Sequence, residues 1–268
     1  TVDNFSKMQI FNTDIHAAYV AVQGMGISAF GINCNTGPEL MQKTVEKLSR
    51  VCRHPISIVP NAGQPVSEDG KTCYKLQPEE MADYVERFVT EFGVAIVGGC
   101  CGTTPDHIRA LSNRLKGVVP QRTLPASKVY VSGPQEAVVL DSSEGLVRIG
   151  ERLNVRGSQK VREAVERDDG IQMTILEEVV QEQVKDLGID IIDVCMDSNV
   201  VETEVVLPEI IYALTSDFKG VMCLDSFSVE ALQSAIETYP GRPIINSISL
   251  EEYKEGVSKL EAVLSQTA

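Results

Sequence analysis

Basic residues are too few in this chain to meet a polyanion. Lys plus Arg number 24 against 38 Asp plus Glu, a formal net charge of −14. With no Lys/Arg stripe to offset it locally, that charge repels a phosphodiester backbone, so no nucleic-acid partner is expected. Long apolar runs are also missing: none approaches the roughly 18 residues needed to cross a bilayer. Residues 1–12 carry no charged–apolar–small leader pattern, and a cytoplasmic protein with no membrane partner is expected. Seven cysteines in 268 residues are too sparse and unevenly spaced for a disulfide scaffold, which leaves metal binding or plain burial. Cys52, Cys73, Cys195 and Cys223 read as buried or incidental thiols. Cys195 has no neighbouring His or basic group to activate it.

What is present is a vicinal thiol pair, Gly98-Gly99-Cys100-Cys101-Gly102-Thr103-Thr104-Pro105, after an apolar run. Adjacent strand residues point to opposite faces, so both sulfurs reach one ion only where the strand ends and the backbone turns. The flanking glycines allow that turn. Cys34 ends a second apolar run and precedes the turn-and-helix signal Asn35-Thr36-Gly37-Pro38-Glu39. It is the expected third ligand. The competing readings are a buried pair of small residues or a strained vicinal disulfide. His107 falls in the first turn of the helix that Thr104-Pro105 opens, which suits a cap better than a ligand.

Apolar runs of strand length alternate with helical stretches on both sides of a break. Before it come 29–34, 41–51, 56–60, 78–92, 94–101 and 105–115; after it come 146–153, 173–187, 189–196, 205–214, 221–226, 229–239, 244–250 and 257–264. This is βα repetition. The break, 118–145, is Pro-containing without helical period and reads as a linker. The expected fold class is α/β, with two β/α (TIM-type) barrel modules over 1–117 and 146–268. Three strands in the first series and four in the second cannot close eight-stranded barrels. Each module is therefore expected to be incomplete, the chain reading as a piece cut at both ends.

Two motif sets carry a resemblance. Gly31-Ile32-Asn33-Cys34-Asn35-Thr36-Gly37-Pro38-Glu39, Pro60-Asn61-Ala62-Gly63-Gln64-Pro65 and the Cys100-Cys101 segment resemble the homocysteine-binding barrel of the cobalamin-dependent methionine synthase family. Ile149-Gly150-Glu151-Arg152-Leu153-Asn154-Val155-Arg156-Gly157-Ser158, Ile191-Ile192-Asp193-Val194-Cys195-Met196-Asp197 and Ile245-Asn246-Ser247-Ile248-Ser249 resemble the same family's pterin-type barrel. The two sets stand in the family's order.

The resemblance implies methyl transfer from 5-methyltetrahydrofolate through cobalamin to homocysteine. It implies that 1–117 is the C-terminal part of the first barrel and 146–268 the N-terminal part of the second. Cys34, Cys100 and Cys101 would hold zinc, and homocysteine thiol would take the fourth position. Asn61 either fills that position, orients substrate or is an ordinary turn residue. In the second module Glu151, Asn154, Asp193, Asp197, Asp225 and Asn246 sit where strands end, on the rim where β/α active sites form. They could match a pterin's donor–acceptor edge or simply cap helices. The resemblance places Asn246 near N5 and the methyl group, as a catalytic residue, and Asp225 nearer the aminopyrimidinone. Many relatives carry Asn at the position of Cys195. No Asp-x-His-x-x-Gly signature occurs, so cobalamin is expected on a domain outside this chain. The alternatives are a zinc thiol methyltransferase using betaine or S-methylmethionine, and an inert zinc-binding fragment.

Overall fold

The computed structural model describes residues 1–3 and 5–247; the expected helix at 257–264 and the end of the run 244–250 lie outside them. Two compact units emerge, Thr1–Tyr19 with Gly26–Ser127 and Val20–Met25 with Lys128–Ala268. No helix among the described residues is long and apolar enough to cross a membrane.

In chain order, helix α1 (Ile15–Val22) leads to strand β1 (Phe30–Asn33), helix α2 (Pro38–Val51), strand β2 (Ile56–Val59), the hairpin β3 (Pro65–Glu68) and β4 (Lys71–Tyr74), helix α3 (Pro78–Phe92), the two-residue strand β5 (Ile96–Val97) and helix α4 (Pro105–Arg114). Strands β1, β2 and β5 form a three-stranded parallel sheet. Its helix-facing side carries Ile32, Ile56 and Ile58, packed among Met41, Val45, Leu48, Phe88 and Val89. Helices α2, α3 and α4 each begin with Pro at the first turn, where the missing N–H has no intrahelical partner to lose. Helix α3 ends on Gly93 in the left-handed conformation, φ 66°.

The second unit continues with a hairpin, β6 (Tyr130–Ser132) and β7 (Ala137–Val139), then β8 (Ile149–Asn154), α5 (Gln159–Val165), α6 (Met173–Gln181) followed by a π-helical turn Glu182–Asp186, β9 (Ile191–Cys195), α7 (Thr203–Leu214), β10 (Val221–Asp225), α8 (Val229–Thr238) and β11 (Ile244–Asn246). Strands β8 to β11 form a four-stranded parallel sheet in the order β11-β10-β9-β8. One face is sealed by helices: Leu153, Ile192, Val194, Met222 and Leu224 pack among the apolar faces of α5 to α8.

The other face is layered. Ile191, Val221 and Cys223 pack with Val131 of the β6–β7 hairpin. That hairpin lies inside 118–145, the segment expected to be a linker, and is tied to its own unit by backbone bonds Ser132 N–H to Arg242 O (2.9 Å) and Arg242 N–H to Ser132 O (3.0 Å). Beyond the apolar layer come Asp193 beside Cys223, then Asn154, Cys195, Asp225 and Asn246 in lateral register. The sheet face thus turns from apolar to polar toward the C-terminal strand ends, as the β/α arrangement requires of a site-bearing end.

Candidate functional sites

The first site is built by the ends of β1 and β5. Cys34 and Asn35, just past β1, both take left-handed backbone conformations, φ 63° and 70°, and Cys34 N–H donates to Val59 O at 2.9 Å. Past β5 the chain turns at Gly102, φ 77°, after Cys100 N–H has donated to Pro60 O at 2.7 Å. These turns bring three sulfurs together. Cys34 Sγ lies 3.6 Å from Cys101 Sγ, Cys100 Sγ lies 3.9 Å from Cys101 Sγ, and all three fall within 4.8 Å of one another. Tetrahedral zinc with Zn–S near 2.3 Å requires sulfurs about 3.8 Å apart. The donor set therefore fits such an ion with a fourth position left over. All three are free thiols.

The Asn35 backbone amide, the largest influence on Cys34, holds its thiol below the ordinary range. Burial, followed by the neighbouring thiols, pushes Cys100 the other way. Asn61 is buried, at 3% exposure. Its Oδ1 accepts the Cys101 N–H at 3.1 Å, while Ala62 N–H donates to Cys101 O at 2.9 Å. The amide oxygen of Asn61 is thus engaged with the cysteine turn itself. His107 caps α4: Nδ1 meets the Thr104 hydroxyl at 2.8 Å, and Nε2 donates to Leu76 O at 2.8 Å.

Tyr74, on the exposed hairpin, is a site neighbour that the motif reading missed. Its ring covers Gly102, where a Cβ would sit 2.3 Å from Tyr74 Cγ. The signal was available: Asp69-Gly70 between two short runs is a strong two-residue hairpin mark, and both adopt positive φ, 50° and 74°. Gly102→Ala meets both the left-handed backbone and the ring. A loss of about 2 kcal/mol is expected, read as a lower midpoint in urea, with weaker metal retention because Cys101 is its neighbour.

At the second site the structure separates the six rim residues into two kinds. Asn154 and Asp197 hold local structure. Asn154 Oδ1 accepts the Arg156 and Gly157 amides, both at 3.0 Å; Asp197 accepts Ser226 Oγ at 2.6 Å and Phe227 N–H at 2.8 Å. Glu151, Asp193 and Asn246 line one open cavity, together with Cys223 and Ile244. Asp193 is only 2% exposed. Its Oδ1 meets Asn246 Nδ2 at 3.4 Å, the Cys223 thiol contacts the carboxylate, and its Oδ2 has no hydrogen-bond partner among the described residues. A buried carboxylate oxygen with no donor is costly, and its place in the cavity wall suits a donor arriving with a ligand.

Asp225, on the same face, is raised to about 6, by burial first and then by Asp193, with Asp197 and Glu151 adding to it against an opposing contact from Cys195. Burial likewise raises Cys195 to about 12 and lifts Cys223 far above the thiol range. Both thiols are neutral at physiological pH, as the burial reading of Cys195 requires. For Asp225 the folded pKa lies above the unfolded one, so the folded state holds its proton more tightly. Its contribution to stability is then fully present at low pH and is lost as pH rises through about 4 to 6. Allowing for solvent screening, Asp225→Asn removes about 1 kcal/mol of that fall. Calorimetric midpoints at pH 5 and pH 7 should converge in the variant, and an unchanged pH dependence would remove Asp225 as its source.

Comparison with known proteins gives two family matches, one in each half of the chain. Residues 1–115 match the family model described as homocysteine S-methyltransferase, and residues 150–266 match the pterin binding enzyme model. The chain is 34% identical over 261 residues to the methionine synthase of Mycobacterium leprae (strain TN), covering 94% of this chain and 21% of that protein. It is 33% identical over 252 residues to the methionine synthase of Mycobacterium tuberculosis (strain ATCC 25618 / H37Rv), with the same shares covered. The chain therefore spans about a fifth of the length of the curated relatives it matches.

Proposed function

We propose, for a methyltransferase chain whose residues 1–115 belong to the homocysteine S-methyltransferase family and whose residues 150–266 belong to the pterin-binding family, that it supplies two sites of a methionine synthase. One holds homocysteine on zinc; the other holds 5-methyltetrahydrofolate. The observation that carries the reading is the convergence of Cys34, Cys100 and Cys101 within 4.8 Å in the segment matching the first family. In this reading residues 1–117 are part of the homocysteine barrel, 118–145 connect, and 146–268 are part of the pterin barrel. Cobalamin, held by another domain of the parent protein, carries the methyl group between the sites.

Zinc bound by the three cysteines would keep a fourth, substrate sulfur deprotonated at neutral pH. The chain's own part is positional. Left-handed backbone at Cys34 and Gly102 turns the sulfurs inward, and Asn61 fixes the Cys101 turn through its amide oxygen.

At the folate site, Asp193 can only accept, so it fixes Asn246 with Nδ2 toward it and leaves Asn246 Oδ1 to face the ligand. The tetrahydrofolate amine must be protonated at N5 to leave. An amide oxygen there holds that proton by accepting it in a hydrogen bond. Asp193 Oδ2 and Glu151 offer acceptors for the pterin's N–H edge. Asp225, with its raised pKa, lies between the Cys195 and Asn246 positions and contacts the aminopyrimidinone. Asn154 and Asp197 shape the rim. The pterin-binding match supports folate rather than betaine or S-methylmethionine as donor.

Equilibrium dialysis of the zinc-loaded chain with labelled 5-methyltetrahydrofolate and, separately, labelled homocysteine tests this reading. One equivalent of each is expected, with folate bound weakly because four strands hold it from one side, and neither should compete with the other. Retained homocysteine binding without folate binding would confine the account to the first half.

A further inference from the structure

We infer that Gln183, on the π-helical turn behind the second sheet, is a positioning residue that aims Glu151 into the folate site. The inference rests on the folate reading of that site. Strands β8 and β9 pair at Gly150–Ile192 and again at Leu153–Val194, so two residues, Glu151 and Arg152, oppose the single Asp193. This is a bulge. Gly150 and Leu153 are three apart, a spacing that regular alternation would put on opposite faces. Here both face the helices: Leu153 is in the core among α5 to α8, and a Cβ on Gly150 would lie 2.5 Å from Gln183 Oε1 and 2.9 Å from Ile189 Cγ2. The extra residue absorbs the mismatch and leaves Glu151 in the cavity wall with Asp193 and Asn246.

A bulge leaves one ladder amide without a strand partner, and Gln183 supplies the replacement. Its Oε1 accepts the Arg152 N–H at 3.0 Å, and its Nε2 donates to Val179 O at 3.3 Å. Ile189 N–H returns to Gln183 O at 3.1 Å. Gln183 itself is 2% exposed, so its amide is held in place by packing as well as by these bonds. The π turn at Glu182–Asp186 accommodates the inserted residue that puts this amide behind the strand, in keeping with the frequent siting of such turns near function. Gly150 is the matching partner, since only a residue without a Cβ admits the Gln183 amide so close to the backbone. Glu151 also lines the cavity on the Gln183 side, and a bulge fixed from behind biases it toward the wall it shares with Asp193 and Asn246.

The test is a double-mutant cycle on the full chain, with 5-methyltetrahydrofolate affinity read by equilibrium dialysis and amide exchange at Arg152 read by NMR. Gln183→Met should weaken folate about tenfold, the equivalent of one net hydrogen bond, and should speed Arg152 exchange. In a Glu151→Ala background the same change should alter affinity less than twofold, because Gln183 acts through Glu151. Equal losses in both backgrounds or unchanged Arg152 exchange would each overturn the assignment. A wild-type chain that binds no folate would defeat the folate reading instead, and Arg152 exchange in Gln183→Met would still decide whether Gln183 holds the bulge.

Discussion

Replacing Cys100 with serine will drop the zinc content of the purified chain from about one equivalent to near zero, measured by elemental analysis. Three sulfurs 3.6 and 3.9 Å apart along the Cys34–Cys101–Cys100 path already match the edge of a tetrahedral thiolate site, so binding needs little rearrangement. Structural zinc sites of this donor type gain on the order of 10 kcal/mol. Removing one thiolate forfeits a large part of that and leaves two ligands, too few to hold the ion against a chelator. Serine keeps the shape of the turn, so the Cys100 N–H to Pro60 O bond should survive and far-UV circular dichroism should not change. Zinc content equal to wild type in Cys100→Ser would remove the cluster from the account.

The second large effect is expected at Asp193. Asp193→Asn preserves volume but puts an NH2 donor or a weaker acceptor where a carboxylate stands with one oxygen unpartnered among the described residues. Hydrogen bonds to a charged group contribute about 1.5–3 kcal/mol. Losing one to a folate N–H, and disturbing the Asn246 amide set by Asp193 Oδ1, should weaken 5-methyltetrahydrofolate at least a hundredfold. The same variant should melt higher, because it removes a buried negative charge from beside Asp225 and Glu151. Weaker binding with higher stability is the signature of a ligand-facing carboxylate. A lower melting point with unchanged binding would make Asp193 a structural residue.

How legible these sites were depended on what encodes each part. Strands β9 and β10 could be read because they are buried on nearly every residue, which leaves a mostly apolar run of strand length. The thiols could be read because both runs stop at glycine- and proline-marked turns, and a strand end is where side chains of neighbouring strands converge. The β6–β7 hairpin was hidden within a proline-containing stretch whose strands are three residues each, too short to show alternation. The β3–β4 hairpin is largely exposed on both faces, so no hydrophobic pattern announced it, although Asp69-Gly70 did. At the rim, Asn154, Asp197, Asp193 and Asn246 look alike in sequence, each a carboxylate or amide in or just past the C-terminal half of a strand. Only the fold shows that the first two spend their oxygens on loop amides and the Ser226 hydroxyl, while Asp193 Oδ2 has no partner among the described residues. Glu151 depends on a bulge, and a one-residue register slip leaves no mark on composition or period.

The central claim is that Cys34, Cys100 and Cys101 hold a zinc ion open to the substrate's sulfur. X-ray absorption at the zinc edge of the loaded chain, before and after homocysteine, addresses it directly. The account predicts three sulfur neighbours and one lighter atom before addition, and four sulfurs after it. Fewer than three sulfurs at the start, or no gain of sulfur with homocysteine, would contradict it.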